Sequence, residues 1–158
     1  MSTVATQTQA GVPDLRSMSG DQLDALYRAS RPGPIPIGRS RGTAIALPGS
    51  PLGKLFAGFV RALVWKGKVF DPQVQGLKNL MSPLGIPAIK ARVYEGDSWF
   101  VRNERAIVLD YSRTSLVAKL IRDEIREVGP GLYLGQVYIG KAHVLRFMLE
   151  FPKGGAAA

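Results

Sequence analysis

From Ala88 onward, apolar and polar side chains alternate with a period of two, in runs broken by glycine, proline and asparagine. That period marks half-buried strands. "AIKARVYEG", "SWFV" and "RAIVLDYS" read as strands, and so do three pieces of "IRDEIREVGPGLYLGQVYIGKAHVLRFMLEF", residues 121–151. Ahead of them the period changes. "MSGDQLDALYRASRPG" places Leu23, Leu26 and Tyr27 on one helical face, with Ser19 as cap and Gln22 at capping-box spacing. "RPGPIPIG" stops this helix, because proline removes donors and disfavours helix before it. A strand, "RGTAIAL", follows. Ser50 and Pro51 suit the start of a second helix, 51–65, where Leu52, Leu55, Phe56, Phe59, Val60, Leu63 and Val64 form a wide apolar stripe. "VWKGKVF" alternates as a strand, "GLKNLMSPLGIPAIK" is a short helix or a loop, and "TSLVAKLI" makes a short helical turn. The pattern predicts an α+β, mostly β domain. Its antiparallel meander closes into a small barrel, with the N-terminal helix and the amphipathic helix packed against it or capping it.

Gly129-Pro130-Gly131 is a strong turn signal. An even-numbered loop there sets Ile121, Asp123, Ile125 and Glu127 on one face with Leu132, Leu134, Gln136 and Tyr138. An even turn near Gly140 adds Leu145, Phe147, Leu149 and Phe151 to that face. Burying each large apolar side chain is worth about 1.5–3 kcal/mol, so this face turns inward. Arg122, Glu124, Arg126, Arg146 and Glu150 then form a solvated ladder of alternating charge. An odd-length loop exchanges the partners.

This register carries Asp123, Gln136 and Tyr138 into an apolar wall, with Tyr138 opposite Asp123. A buried carboxylate needs partners or titrates higher than usual. Asp123 is therefore a candidate acid or base and Tyr138 a candidate donor to a developing oxyanion. A satisfied structural aspartate is the alternative. A turn at Asn103-Glu104 sets Trp99 and Val101 on one face with Ala106 and Val108, and Asp97 opposite Asp110. Tyr111 and Arg113 flank a pocket mouth. His143, the sole histidine, falls in a hairpin turn, which argues against a catalytic triad or a histidine metal site.

Composition narrows the classes. The 158 residues suit one domain, read as a polar leader 1–17, a barrel-like domain 18–152 and a flexible tail 153–158. No apolar run is long enough to span a bilayer, and no secretory signal opens the chain, so a cytoplasmic location is expected. The absence of cysteine excludes disulfides and thiolate metal sites. Lys plus Arg number 21 against 12 acids, a formal charge of +9, but the basic residues are scattered and no nucleic-acid-binding motif accompanies them. Phosphate-cradling glycine patterns, HExxH and G-x-S-x-G are all missing, and neither cofactor nor metal is expected.

The run of amphipathic strands after an early helix resembles the lipocalin-like, calycin-type barrels across roughly residues 40–151. The likeness is architectural. The lipocalin Gly-x-Trp signature is absent, since "VWKGK" places glycine after the tryptophan. "RDEIREVGPGLYLG" looks like the core of an uncharacterised bacterial family. The resemblance implies a lipophilic small molecule in a barrel lumen. Trp65, Trp99, Phe100, Leu134, Tyr138, Phe147 and Leu149 would wall it, Asp123, Gln136 and Tyr138 would orient the ligand, and Asp110 would be a further ligand contact. A cofactor-free cyclase or isomerase would use the same pocket, with Asp123 and Tyr138 catalytic. Helix 51–65 on a membrane surface is a third reading. A homo-oligomer is compatible with all three.

Overall fold

The computed structural model of the protein describes residues 14–45, 67–71, 76–81, 86–113 and 119–152. The expected helix 51–65, Trp65, the turn at 114–118 and the tail from 153 lie outside these residues. A short 3-10 turn (Leu15–Ser17) precedes α1 (Gly20–Ala29). Among the described residues nine strands follow: β1 (Gly38–Arg39), β2 (Arg41–Ile45), β3 (Gly67–Asp71), β4 (Gly76–Met81), β5 (Ile86–Asp97), β6 (Arg105–Asp110), β7 (Ile121–Gly129), β8 (Leu132–Ile139) and β9 (Ala142–Glu150). "GLKNLMSPLGIPAIK", expected as a helix or loop, thus belongs to β4 and β5. Pro87 is accommodated next to a register shift in the β4–β5 pair.

The fold is mostly antiparallel β with one α-helix among the described residues. Its nine strands form one sheet in the order β1-β3-β4-β5-β6-β7-β8-β9-β2. β1 pairs with β3 and β2 with β9, and only Ser40 separates β1 from β2 along the chain.

α1 begins as its sequence requires. The Ser19 hydroxyl accepts from the Gln22 amide at 3.2 Å, and the Gln22 side chain accepts from the Ser19 amide at 2.8 Å. Two orphan donors are satisfied reciprocally. Leu23 and Tyr27 are buried and Leu26 partly so. They pack on one face of the sheet with Leu132, Leu134 and Met148. Leu15 joins this cluster, only 1% exposed, so Asp14–Ser17 belong to the folded domain rather than to a leader.

The opposite face holds the larger apolar core: Phe70, Ala91, Val93, Ile107, Leu109, Tyr111, Ile125, Tyr133, Val137, Leu145, Phe147 and Leu149. Gly135 lies in this face because the Phe147 ring occupies the space where its Cβ would stand. Below, this face is called inner and the helix-covered one outer.

The register of β7 on β8 differs from the expected one. Gly129 faces Leu132, but Glu127 faces Tyr133 and Asp123 faces Val137. Val128 is the extra residue of a β-bulge, which shifts the pairing by one and exchanges the β8 partners from Tyr133 onward. A second shift between Val137 and Tyr138 leaves Val144 unpaired in β9. Leu145, Phe147 and Leu149 therefore face inward with Asp123 and Ile125, as the apolar pattern indicated. Leu134, Gln136 and Tyr138 face outward, against expectation.

Candidate functional site

Asp123 stands on the inner face, 4% exposed, in a transverse row of partners Val93, Leu109, Asp123, Val137 and Leu145. Apart from Asp123 this row is aliphatic. The Tyr111 hydroxyl donates to Asp123 Oδ2 at 3.1 Å, and Tyr111 is itself buried in the inner core. The rigid strand β7 fixes the aspartate, while Tyr111 follows directly on the last residue of β6. A carboxylate so placed can accept hydrogen bonds from a ligand or exchange a proton with it. Tyr111 is thus the tyrosine bonded to Asp123, in place of Tyr138, which the bulge moves to the other side of the sheet. Phe147 and Leu149 belong to the same inner wall, packed further along β9.

The outer face contradicts the expectation of a solvated charge ladder. Glu124 and Arg126 are both 0% exposed. Arg146 is also buried. Glu124 accepts from the Tyr27 hydroxyl at 2.9 Å, the Ser98 hydroxyl at 2.6 Å, the Trp99 amide at 2.7 Å and the Phe100 amide at 3.2 Å. Arg122 donates to it at 2.8 Å. The Arg126 guanidinium donates to the carbonyls of Tyr27, Ser30 and Arg105 and to the Glu104 carboxylate at 2.9 Å. Arg146 grips Asp24 of α1 with two bonds of 2.9 Å. These charges are buried because the helix end and the 98–104 loop bring enough complementary groups to satisfy them.

This network explains where several candidate residues sit. Trp99 and Phe100 lie in the loop, not in a strand. Arg122 stacks over the Trp99 ring at 4.2 Å, and Trp99 meets Tyr138 edge-on at 5.3 Å. Phe100 contacts Tyr27 and His143 edge-on. Burial and the nearby Glu124 charge push the Tyr138 phenol well above its ordinary range. Leu134 belongs to the small core under α1. Gln136 is buried, its Oε1 2.6 Å from His143 Nε2. His143 is therefore in β9, half-buried, rather than in a turn. Burial first, and then the Arg146 charge, holds it below the usual imidazole range.

Asp97 and Asp110 do not meet. Asp97 faces Arg105, which donates to it at 2.8 Å, and Asp110 faces Arg92 and Arg122. Burial alone would raise Asp110, but bonds from Ser112 and Tyr94 and the Arg92 charge outweigh it and lower its pKa. The structure thus joins Asp123, Phe147 and Leu149 on one face and places Leu134, Gln136, Tyr138, Trp99 and Phe100 on the other side of the sheet. Sequence reasoning missed the Tyr111–Asp123 bond and the Tyr27–Glu124 bond. The first is legible only as a tyrosine one residue past a strand end, and the second crosses 97 positions of chain.

No family model matches the chain, and no curated protein does. Among solved structures, a protein from Thermomonospora curvata is similar, with a TM-score of 0.66 at 22% sequence identity, over 86% of this chain and 89% of that one. At this identity the likeness concerns the fold alone. No described helix is long and apolar enough to cross a membrane.

Proposed function

We propose that the protein binds a lipophilic small molecule inside a barrel formed by its sheet. The reading rests above all on Asp123, a buried carboxylate in an aliphatic row, bonded by Tyr111. The segment 38–45 supports it, since one stretch of chain pairs with β3 at its start and β9 at its end. A segment that serves both ends of the strand order would draw those ends together, as in calycin-type barrels. The inner aromatic and aliphatic side chains supply the wall, and the Asp123–Tyr111 pair orients a polar end of the ligand.

The test combines native mass spectrometry of protein purified from its own host with displacement of an apolar fluorescent probe. Asp123→Asn is expected to keep the fold and weaken ligand affinity. A variant that melts lower yet binds unchanged would reduce Asp123 to a structural role.

A cofactor-free cyclase or isomerase would use the same interior, and the Tyr111 hydroxyl already aimed at Asp123 favours it as the second reading. Asp123 would serve as acid or base and Tyr111 as donor. Asp123→Asn would then retain binding and lose about 10²–10⁴-fold in turnover.

A further inference from the structure

Residues 38–42, Gly-Arg-Ser-Arg-Gly, change partners in mid-course. Gly38 and Arg39 pair with β3, and from Arg41 the chain pairs with β9. Residues directly opposite in an antiparallel pair share a face of the sheet. Gly38 faces Phe70 and Gly42 faces Leu149, both in the inner core. By alternation Ser40 also turns inward, and it is buried. Arg39 and Arg41 therefore project from the outer face. The pairing of Arg41 agrees, since it faces Glu150, and Glu150 faces Leu132 of the small core under α1. Two steps of extended chain set the arginines roughly 7 Å apart along one side.

A groove of about 690 Å³ opens at this place, lined by residues 39–42 together with Glu150, Phe151 and Pro152. That volume lies within the range of small-molecule sites. Both arginines are exposed. Among the described residues no ion pair or side-chain hydrogen bond holds Arg39, Arg41 or Glu150, whereas Arg105, Arg122, Arg126 and Arg146 are each fastened to a carboxylate. The groove thus offers two unengaged guanidiniums against one carboxylate. Phe151 gives it a fixed apolar side. Its amide donates to the Gly131 carbonyl at 2.8 Å, and its ring packs on Phe70 and Tyr133 at 5.7 and 5.6 Å.

A guanidinium keeps its charge and presents a planar fork of donors that meets two oxygens of an anion at once. One fork uses up both oxygens of a carboxylate. A phosphate monoester carries three free oxygens and roughly two negative charges, so it can accept from both arginines. Its organic group would lie along Phe151 and Pro152. The formal charge of +9 adds a long-range attraction for anions.

We infer that the groove beside Ser40 binds a phosphate monoester through Arg39 and Arg41. These arginines lie on the outer face, so the site is independent of the ligand proposed for the interior.

Isothermal titration calorimetry of the intact protein with phenyl phosphate and benzoate, at constant ionic strength, tests it. Phenyl phosphate is expected to bind at least about tenfold more tightly than benzoate. Arg39→Gln and Arg41→Gln should each weaken it about tenfold. Glu150→Gln should tighten it, because the change removes the like charge from the groove. Arg102→Gln, at an exposed arginine of the 98–104 loop, is the control and should change nothing. Thermal melts confirm that each variant is folded. Vesicles carrying phosphatidic acid, compared with phosphatidylserine vesicles of equal charge, separate a lipid headgroup from a soluble ester. Selective capture by phosphatidic acid that Arg39→Gln abolishes assigns the phosphate to a lipid. If Arg102→Gln weakens binding as much as the groove variants, the attraction is net charge alone and the inference fails. It fails equally if benzoate matches phenyl phosphate, if Glu150→Gln has no effect, or if neither phenyl phosphate nor phosphatidic acid is bound selectively.

Discussion

Arg126→Met replaces a fully buried guanidinium with an apolar side chain of similar length. In the native protein that guanidinium donates to three main-chain carbonyls, Tyr27, Ser30 and Arg105, and to Glu104. Glu104 is 51% exposed at its side chain, so the ion pair itself contributes little. The carbonyls decide the magnitude. Each buried acceptor left without a donor costs about 1–3 kcal/mol. Relief of arginine desolvation and the apolar contacts of methionine offset part of this. A net loss of about 3 kcal/mol follows, a large share of the roughly 5–15 kcal/mol that holds a domain together. For a chain of this size that lowers Tm by about 6–12 °C. Arg105→Ala is the control. Its side chain is 52% exposed and pairs with exposed acids, so the change should stay within about 0.5 kcal/mol. Thermal and urea unfolding, followed by circular dichroism, measure both. A loss below about 1 kcal/mol for Arg126→Met would mean that water reaches the guanidinium. The charged face would then be the solvated one, and the docking of α1 described above would be wrong.

Gly135→Ala drives a methyl group into the Phe147 ring and should cost about 1–3 kcal/mol. Combined with Phe147→Leu the loss should be smaller than the sum, and additivity in the double-mutant cycle would refute the contact. His143 should make stability pH-dependent. Its folded pKa is lowered, so the unfolded chain takes up the proton first, near the ordinary value of about 6.5. The stabilisation from a neutral His143 is complete above that value and is lost as pH falls through it toward the lowered folded pKa. Tm should therefore drop between about pH 7 and 5 in the native protein and less in His143→Gln, and parallel curves would contradict the assignment.

Local signals determined what they could reach. The capping box at Ser19 and Gln22 needs only four neighbouring residues, and it starts α1 where the pattern places it. The apolar alternation in β7 and β9 identifies their inner faces, because exposing Ile125, Phe147 or Leu149 to water would be costly whatever the topology. β8 escaped this logic. Its two faces, Leu132-Leu134-Gln136-Tyr138 and Tyr133-Gly135-Val137-Ile139, are both largely apolar, so hydrophobicity alone does not choose between them. A single unpaired residue, Val128, makes the choice, and with it sends Tyr138 away from Asp123 and leaves Tyr111 as its partner. The charges of β7 are illegible in the sequence for a related reason. Sequence treats Glu124 and Arg126 as groups seeking water, because their burial is favourable only when several donors and acceptors converge on them. Those groups come from α1 and the 98–104 loop, some 20 to 100 positions away along the chain. Only the tertiary structure brings them together, and it is that convergence which turns a charged strand face into an interior.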